Sequence, residues 1–225
     1  MKDLTIIMLT LNKPPKQWAE YHKKVLLEAT DGCPIITISK EPMDWGLNVI
    51  QTEEPSISNV FWQLLKGAKI ATTDYIGVAE DDTLYSKEHF NSYRPDKDTF
   101  AYDQSRLTLF TWGKPTYSWR GRKVNHSLIA PRALLIETLE ERFAKYPKGI
   151  PDGLAAEPGR NYFEQKLGVA LRKSIDFYSA VPIINFKHDF ASDNLQRRHR
   201  SRPGLFQAYD IPYWGKASEL VAKFK

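Results

Sequence analysis

Residues 74–83, DYIGVAEDDT, combine a short apolar run with three consecutive acids, Glu80, Asp81 and Asp82. The apolar run is typical of a buried strand. Three carboxylates at its end repel one another unless a positive charge lies among them. Divalent cations such as Mg²⁺ and Mn²⁺ prefer oxygen ligands and often bridge substrate phosphates, so the stretch indicates a metal-assisted site for a phosphorylated substrate. The alternative is a solvated turn in which Thr83 caps a helix, but ligands of open α/β sheets gather at the carboxyl ends of strands.

Strands and helices alternate before this stretch. Leu4–Leu11 is a β-rich apolar run ended by Asn12 and two prolines, and it predicts a first buried strand. The other predicted elements are a helix over about 16–29, strands over 34–39 and 47–50, and a helix capped by Ser56 or Ser58. Such alternation predicts an α/β fold with a mostly parallel central sheet flanked by crossover helices, an architecture common among nucleotide-binding proteins.

The second half of the chain is less regular. The remaining predicted strands span 99–111, 124–130 and 180–186. A helix is expected to start near Pro131, because proline is favoured at the first helical position. A loop rich in Pro and Gly over 145–158 precedes a helix predicted over 159–173, and a basic segment with Arg197, Arg198, Arg200 and Arg202 follows. Arginine side chains suit phosphate oxygens, so this segment predicts a loop over a substrate diphosphate, a contact with a polyanionic partner, or a solvated tail.

The composition is that of an ordinary globular domain. The chain has 225 residues, of which 42% are hydrophobic and 26% are charged, and this length favours one sizeable core. A formal net charge of +5 suits phosphate-rich partners without choosing among nucleotides, nucleic acid and anionic membranes. Cys33 is the only cysteine, which excludes an intrachain disulfide. The run over 4–11 is too short to be an integral membrane segment, so we expect a cytoplasmic protein.

The order of these features resembles the GT-A glycosyltransferases, especially the inverting group that includes family 2. Ile6–Lys13 is similar to that family's first strand, and Glu80–Asp82 is similar to its Asp-x-Asp element. Ser58-Asn59 with Gly67-Ala68 resembles the helix before the metal strand, and Ser127–Leu134 resembles the acceptor-side strand and helix start. The resemblance is collinear over residues 4–190. It departs from the family at Ser39-Lys40-Glu41, because the family's second strand ends in an acid that reads the nucleobase.

The resemblance implies one GT-A domain, with a donor-nucleotide half over 1–95, an acceptor half over 96–190 and a basic tail over 191–225. It implies transfer of a sugar from a nucleoside diphosphate, with a UDP-sugar as the expected donor and inversion at the anomeric carbon. The metal would be Mn²⁺ or Mg²⁺. The acceptor would be a hydroxyl group on a glycan, a lipid-linked sugar, a protein or a modified DNA base, and the absence of a membrane anchor in the sequence disfavours a lipid.

The resemblance also implies roles for individual residues. Asp82, Glu80 and the late His188 would hold the metal ion. The residues expected to contact the nucleotide-sugar are Thr10, Asn12, Asn59, Glu80, Asp81, Lys187 and Arg200. An inverting enzyme also needs a general base for the acceptor hydroxyl. Glu157 suits this role because it fits the first turn of the helix predicted over 159–173, and Asp152, in a predicted turn, is the competing candidate.

Two other functions are compatible with the sequence. A nucleotidyltransferase shares a similar fold and metal site but needs a glycine-rich basic loop after the first strand, where this chain has Asn12-Lys13-Pro14-Pro15. A non-enzymatic nucleic-acid-binding module would use the basic residues and keep the acids as a structural turn. Three aromatic residues lie in sequence beside three basic ones, and such a group suits sugar or base stacking as well as ordinary core packing; they are Trp112, Tyr117 and Trp119 with Arg120, Arg122 and Lys123.

Overall fold

The computed structural model describes residues 2–151, 153–188, 203–204 and 206–224. At its centre is a seven-stranded sheet. From edge to edge its strands are β10 (Lys173–Phe177), β6 (Thr99–Asp103), β9 (Leu128–Pro131), β4 (Tyr75–Glu80), β1 (Leu4–Leu9), β2 (Ile35–Ser39) and β3 (Leu47–Ile50). Neighbouring strands are parallel except at β9, which is antiparallel to both of its neighbours. The predicted α/β fold with a mostly parallel central sheet is confirmed.

A smaller, five-stranded sheet continues from this centre. Its strands are β12 (Gln207–Ala208), β8 (Tyr117–Trp119), β7 (Arg106–Phe110), β11 (Ile183–Lys187) and β5 (Thr83–Leu84). Only Asp81 and Asp82 separate β4 from β5, so these two acids lie where the chain passes from one sheet to the other. A short hairpin of β13 (Asp210–Ile211) and β14 (Gly215–Lys216) follows β12.

Helices flank the central sheet on both faces. They are α1 (Lys16–Thr30), α2 (Ile57–Ile70), α3 (Lys87–Asn91), α4 (Arg132–Lys145), α5 (Asn161–Leu167) and α6 (Ala217–Phe224). Helix α2 begins at a cap in which Ser56 Oγ accepts from Asn59 N at 3.0 Å. It approaches β1 closely, because a Cβ atom on Gly67 would lie 2.9 Å from the Ile7 side chain. In the described residues, none of the helices is both long and apolar enough to cross a bilayer.

Helix α6 belongs to the segment that the sequence predicted to be a basic tail, but it packs against the body of the protein. Its apolar face joins Trp18 of α1 and Phe186 of β11 in a buried cluster. The Trp18 and Phe224 rings lie 4.6 Å apart between centroids. The division of the chain into donor half, acceptor half and tail stays a prediction.

Several predicted boundaries were wrong. The helix predicted over 159–173 is the shorter α5, because Gly168 adopts a left-handed conformation with φ +63° and ends it. The residues beyond form β10, which is parallel to β6. The strand predicted over 99–111 is divided between the two sheets, since Asp103 Oδ1 accepts from Ser105 N at 2.9 Å and turns the chain. The strand predicted over 124–130 begins with a 3₁₀ turn at Asn125–Ser127, and that over 180–186 runs from Ile183 to Lys187.

Candidate active site

One pocket lies at the edge of the central sheet where β1 and β4 end. These strands are parallel neighbours, so their carboxyl ends meet at the same edge, and the end of β11 lies beside them. Most of the described residues that the resemblance singled out line this pocket. They are Thr10, Asn59, Glu80, Asp81, Asp82, Glu157, Lys187 and His188. Residues from opposite ends of the sequence therefore meet at the predicted site.

Asp82 is largely enclosed, with its side chain 13% exposed. Its Oδ1 accepts from Asn185 Nδ2 at 3.1 Å and from Thr83 Oγ1 at 3.0 Å, and its Oδ2 lies 3.5 Å from His188 Nε2. Burial alone would raise the pKa of Asp82, but the nearby His188, together with His126 and Lys187, outweighs burial and holds that pKa below its usual range. Asp82 is thus an ionised carboxylate in a positive setting rather than part of a solvated turn.

Asp81 connects the ends of the two central strands. Its Oδ2 accepts from Thr10 Oγ1 at 2.5 Å, and its backbone carbonyl accepts from Trp18 Nε1 at 2.7 Å. Burial and the neighbouring charge of Asp82 raise the pKa of Asp81 to about 7. At neutral pH the Asp81 carboxyl group is therefore a mixture of protonated and ionised forms. The protonated fraction reduces the repulsion within the acid triplet.

Glu80 has a partner that the sequence did not reveal. Its Oε2 lies 3.1 Å from Nδ1 of His126, which comes from the 3₁₀ turn before β9. Burial and the charge of Arg106 keep the pKa of His126 well below its ordinary value, so the ring is neutral and donates a hydrogen bond from Nδ1. Within the described residues, His126 Nε2 and Asn185 Oδ1 are buried without hydrogen-bond partners, although both side chains line the pocket. Unpartnered polar atoms at a pocket wall indicate a place for a polar ligand or water.

Glu157 lines the pocket from a loop rather than from a helix. The chain becomes helical only at Asn161, so the expected place in a first helical turn is wrong. The Glu157 Oε2 atom accepts from Arg160 Nη1 at 2.8 Å, and the Glu157 side chain is 16% exposed. Asp152 and Arg200, the other candidate base and the predicted phosphate contact, lie outside the described residues.

Asn12 lies beside the pocket rather than in its lining. Its backbone is left-handed with φ +57°, and its Oδ1 accepts from Lys40 N at 2.9 Å and Glu41 N at 3.1 Å. Asn12 therefore joins the end of β1 to the end of β2, and its predicted contact with the nucleotide stays a prediction. Asn59 faces the pocket from α2, where its Nδ2 donates to Gln51 Oε1 at 3.3 Å.

Two of the three predicted metal ligands, Asp82 and His188, lie close together. Across the described ranges, no group of three or more His, Cys, Asp or Glu side chains is arranged to hold a metal ion. Two ligands that each lie about 2.1 Å from one ion are about 3.0–3.4 Å apart in octahedral or tetrahedral geometry. The 3.5 Å between Asp82 Oδ2 and His188 Nε2 lies just above this range. The pair therefore suits two positions around a divalent ion whose other ligands are phosphate oxygens and water.

Comparisons with known proteins find similarity only among solved structures, since no family model and no curated protein matches the sequence. A glycosyltransferase involved in glycosylation of the major capsid of PBCV-1 is 11% identical, with a TM-score of 0.47, over 88% of this chain and 98% of that one. A mannosyltransferase from Pyrobaculum calidifontis, in complex with GDP-Man and Mn²⁺, is 12% identical, with a TM-score of 0.47, over 88% of this chain and 60% of that one.

A nucleotidyl transferase from Methanothermobacter is 15% identical, with a TM-score of 0.43, over 81% of this chain and 89% of that one. The similar solved structures thus include both glycosyltransferases and nucleotidyltransferases. At these identities and TM-scores they assign no function to this chain.

Proposed function

We propose that this protein is a metal-dependent glycosyltransferase that moves a sugar from a nucleoside-diphosphate donor, with a UDP-sugar as the expected donor, to a hydroxyl acceptor. The observation that carries the proposal is the meeting of the acid triplet with Lys187 and His188 in one pocket at the carboxyl end of parallel strands. Such edges are where open α/β sheets bind ligands. Carboxylates and cations side by side suit a diphosphate that arrives with a divalent ion.

The donor diphosphate is proposed to lie between Asp82, His188 and Lys187. Asp82 and His188 would hold Mn²⁺ or Mg²⁺, with Glu80 on the side toward the ribose. The ion would act as a Lewis acid that neutralises the leaving nucleoside diphosphate. Lys187 would contact phosphate oxygens directly. Thr10 and Asn59 would line the nucleoside part of the pocket, and Arg200 is proposed as a further phosphate contact.

The acceptor hydroxyl needs a base that takes its proton as it attacks the anomeric carbon. Glu157 is proposed for this role, with Asp152 as the competing candidate. Support for Glu157 comes from its position in the lining of the same pocket as the acid triplet and from the hydrogen bond of Arg160, which holds the carboxylate in place. The acceptor is proposed to be a glycan, a protein or a modified DNA base.

A nucleotidyltransferase is not favoured by the described residues. The loop between β1 and α1 contains Pro14 and Pro15 and no glycine. A glycine-rich loop brings backbone N–H groups close to phosphates, and the ring of proline removes that N–H donor.

Thermal unfolding of the full chain with UDP, GDP or CDP, each with and without Mn²⁺, tests the proposal. A ligand at about 100 times its dissociation constant adds about 2.7 kcal/mol of stability. For a domain of this size that corresponds to a rise in Tm of about 5–11 °C. We expect the rise with UDP and Mn²⁺ together and its loss in Asp82→Asn.

Asp74→Asn is the matched control, because Asp74 directly precedes β4 at the opposite end of the strand and should leave the shift unchanged. An equal shift in Asp82→Asn, or in the presence of excess chelator, would overturn the metal assignment. No shift with any nucleoside diphosphate would overturn the function.

A further inference from the structure

The pocket at the ends of β1 and β4 has two chemically different ends. Helix α2 packs on β1 and β2, whereas the 3₁₀ turn that carries His126 lies against β4. On the β4 side the lining is charged, with Glu80, Asp82, Lys187 and His188 among its residues. On the α2 side the described lining has one charged residue, Lys13, and several apolar ones, namely Leu11, Pro14, Pro55 and Val60.

One face of α2 lines the less charged end. Ser56, Asn59, Val60 and Gln63 follow the spacing i, i+3, i+4, i+7, which places them on one side of a helix, and all four line the pocket. Asn59 is already engaged, because its Nδ2 donates to Gln51 Oε1 at 3.3 Å and its Oδ1 is enclosed by the protein. Gln63 is the residue of this face whose amide is left for a ligand.

The amide of Gln63 is nearly buried and has no hydrogen-bond partner among the described residues. The residue is 6% exposed, and its polar atoms are not among those that the protein encloses. Because Gln63 lines the pocket, its open part faces the pocket. An amide combines an acceptor oxygen with two N–H donors. Such a group is best satisfied by a ligand that presents a donor beside an acceptor.

The end of β2 offers the pocket no comparable group. Asn12 Oδ1 accepts from the backbone N–H groups of Lys40 and Glu41 at 2.9 and 3.1 Å. Ser39 Oγ donates to Glu41 O at 2.6 Å and accepts from Asn48 Nδ2 at 2.8 Å. Ser39, Lys40 and Glu41 do not line the pocket. A ligand at this end therefore finds its hydrogen-bond partner on α2 rather than on β2.

We propose that Gln63 recognises the nucleobase of the donor by hydrogen bonding to the edge of the base. The inference rests on the proposed function, because a diphosphate at the charged end of the pocket directs the nucleoside toward α2. A base has flat faces that suit the apolar walls of Leu11, Pro14 and Val60. Its edge presents a donor beside an acceptor, which in uracil are N3–H and O4.

The two other parts of the substrates fit this end less well. A sugar carries hydroxyl groups around its ring, and apolar walls would leave several of them without partners. The acceptor hydroxyl has to meet the proposed base Glu157, which lines the pocket together with the acid triplet. The nucleobase is thus the one part of the substrates that suits both the walls and the amide.

Isothermal titration calorimetry of the full chain with UDP, CDP and GDP in the presence of Mn²⁺ tests this inference. Gln63→Leu removes two hydrogen bonds, so affinity for the nucleotide that the wild type binds best should fall by about tenfold or more. Inorganic pyrophosphate, measured by displacement of that nucleotide, has no base and should bind both proteins equally. Gln63→Asn keeps the amide but shortens the side chain by one methylene, so it should also bind the nucleotide more weakly.

Gln17→Leu is the matched control, because it makes the same substitution at an exposed position of α1. The inference is overturned if Gln63→Leu and Gln63→Asn bind the nucleotide as tightly as Gln17→Leu does. It is also overturned if Gln63→Leu loses as much affinity for pyrophosphate as for the nucleotide, because the substitution then acts at the charged end. Either result leaves the proposed function standing. Failure of the wild type to bind UDP, CDP or GDP would refute the proposed function, and this inference with it.

Discussion

A buried ion pair supports the loop that carries Glu157. Arg142 Nη2 and Glu164 Oε1 lie 3.2 Å apart, and both side chains are 0% exposed. The same carboxylate oxygen accepts from Gly159 N at 2.7 Å, and Arg142 Nη1 donates to Ala156 O at 2.6 Å. One acid and one base thus fix the loop on both sides of Glu157. Loss of either partner should affect stability and the geometry of the pocket together.

The Glu164→Gln variant keeps the shape of the side chain but removes its charge. The Arg142 guanidinium is then left in the interior without a counter-charge, and breaking a buried pair in this way costs about 3–5 kcal/mol. For a chain of this size each kcal/mol corresponds to about 2–4 °C. We therefore expect the Tm to fall by about 6–20 °C.

Urea unfolding followed by circular dichroism measures the loss directly. The set of variants is Glu164→Gln, Arg142→Met and the double variant Arg142→Met/Glu164→Leu. Because the double variant leaves no unpaired charge, it should be more stable than the sum of the single losses predicts. A loss below about 1 kcal/mol in Glu164→Gln, or strict additivity in the double variant, would show that the two charges do not depend on each other in the interior.

Two further predictions concern stability. Burial lowers the pKa of His22 to about 4, although the hydrogen bond to Thr83 O acts to raise it. The neutral His22 side chain therefore makes its full contribution to the free energy of unfolding above the unfolded pKa of about 6.5. About 3 kcal/mol of that free energy is lost as the pH falls to 4. Urea unfolding should show that His22→Gln loses less free energy of unfolding than the wild type between about pH 6.5 and 4. Equal losses in the two proteins would show that His22 is not the titrating group. Gly46 has φ +57°, and a Cβ atom there would overlap the carbonyl oxygen of Ile35. Gly46→Ala should lower the free energy of unfolding by about 1–3 kcal/mol more than Gly32→Ala does, because Gly32, with φ +79°, has open space where the Cβ atom would lie. Similar Tm values for the two variants would contradict this.

The first half of the fold was predictable from the sequence because its signals are local. Strand β1 is a continuous apolar run that is buried throughout, and α2 has a serine cap followed by an apolar face. The acid triplet begins at Glu80, the last residue of β4, so the end of the strand gives the position of the site. These elements obey the periodicity of one strand or one helix at a time, and no long-range contact is needed to recognise them.

The second half depends on contacts that periodicity does not encode. Glu80 and His126 are 46 residues apart, and their pairing arises only because β9 lies antiparallel beside β4. The end of α5 was marked by Gly168, but the apolar residues on both sides of it also suit a longer helix. Helix α6 went unrecognised because the basic residues before it dominate the composition of that segment.

A crystal structure of the protein with Mn²⁺ and UDP, with anomalous data collected for manganese, tests whether Asp82 and His188 bind the metal ion of a nucleotide donor. We expect one anomalous peak about 2.1–2.3 Å from Asp82 Oδ2 and His188 Nε2, with diphosphate oxygens completing its coordination and Lys187 beside them. A manganese peak elsewhere, or UDP bound away from the acid triplet, would contradict it.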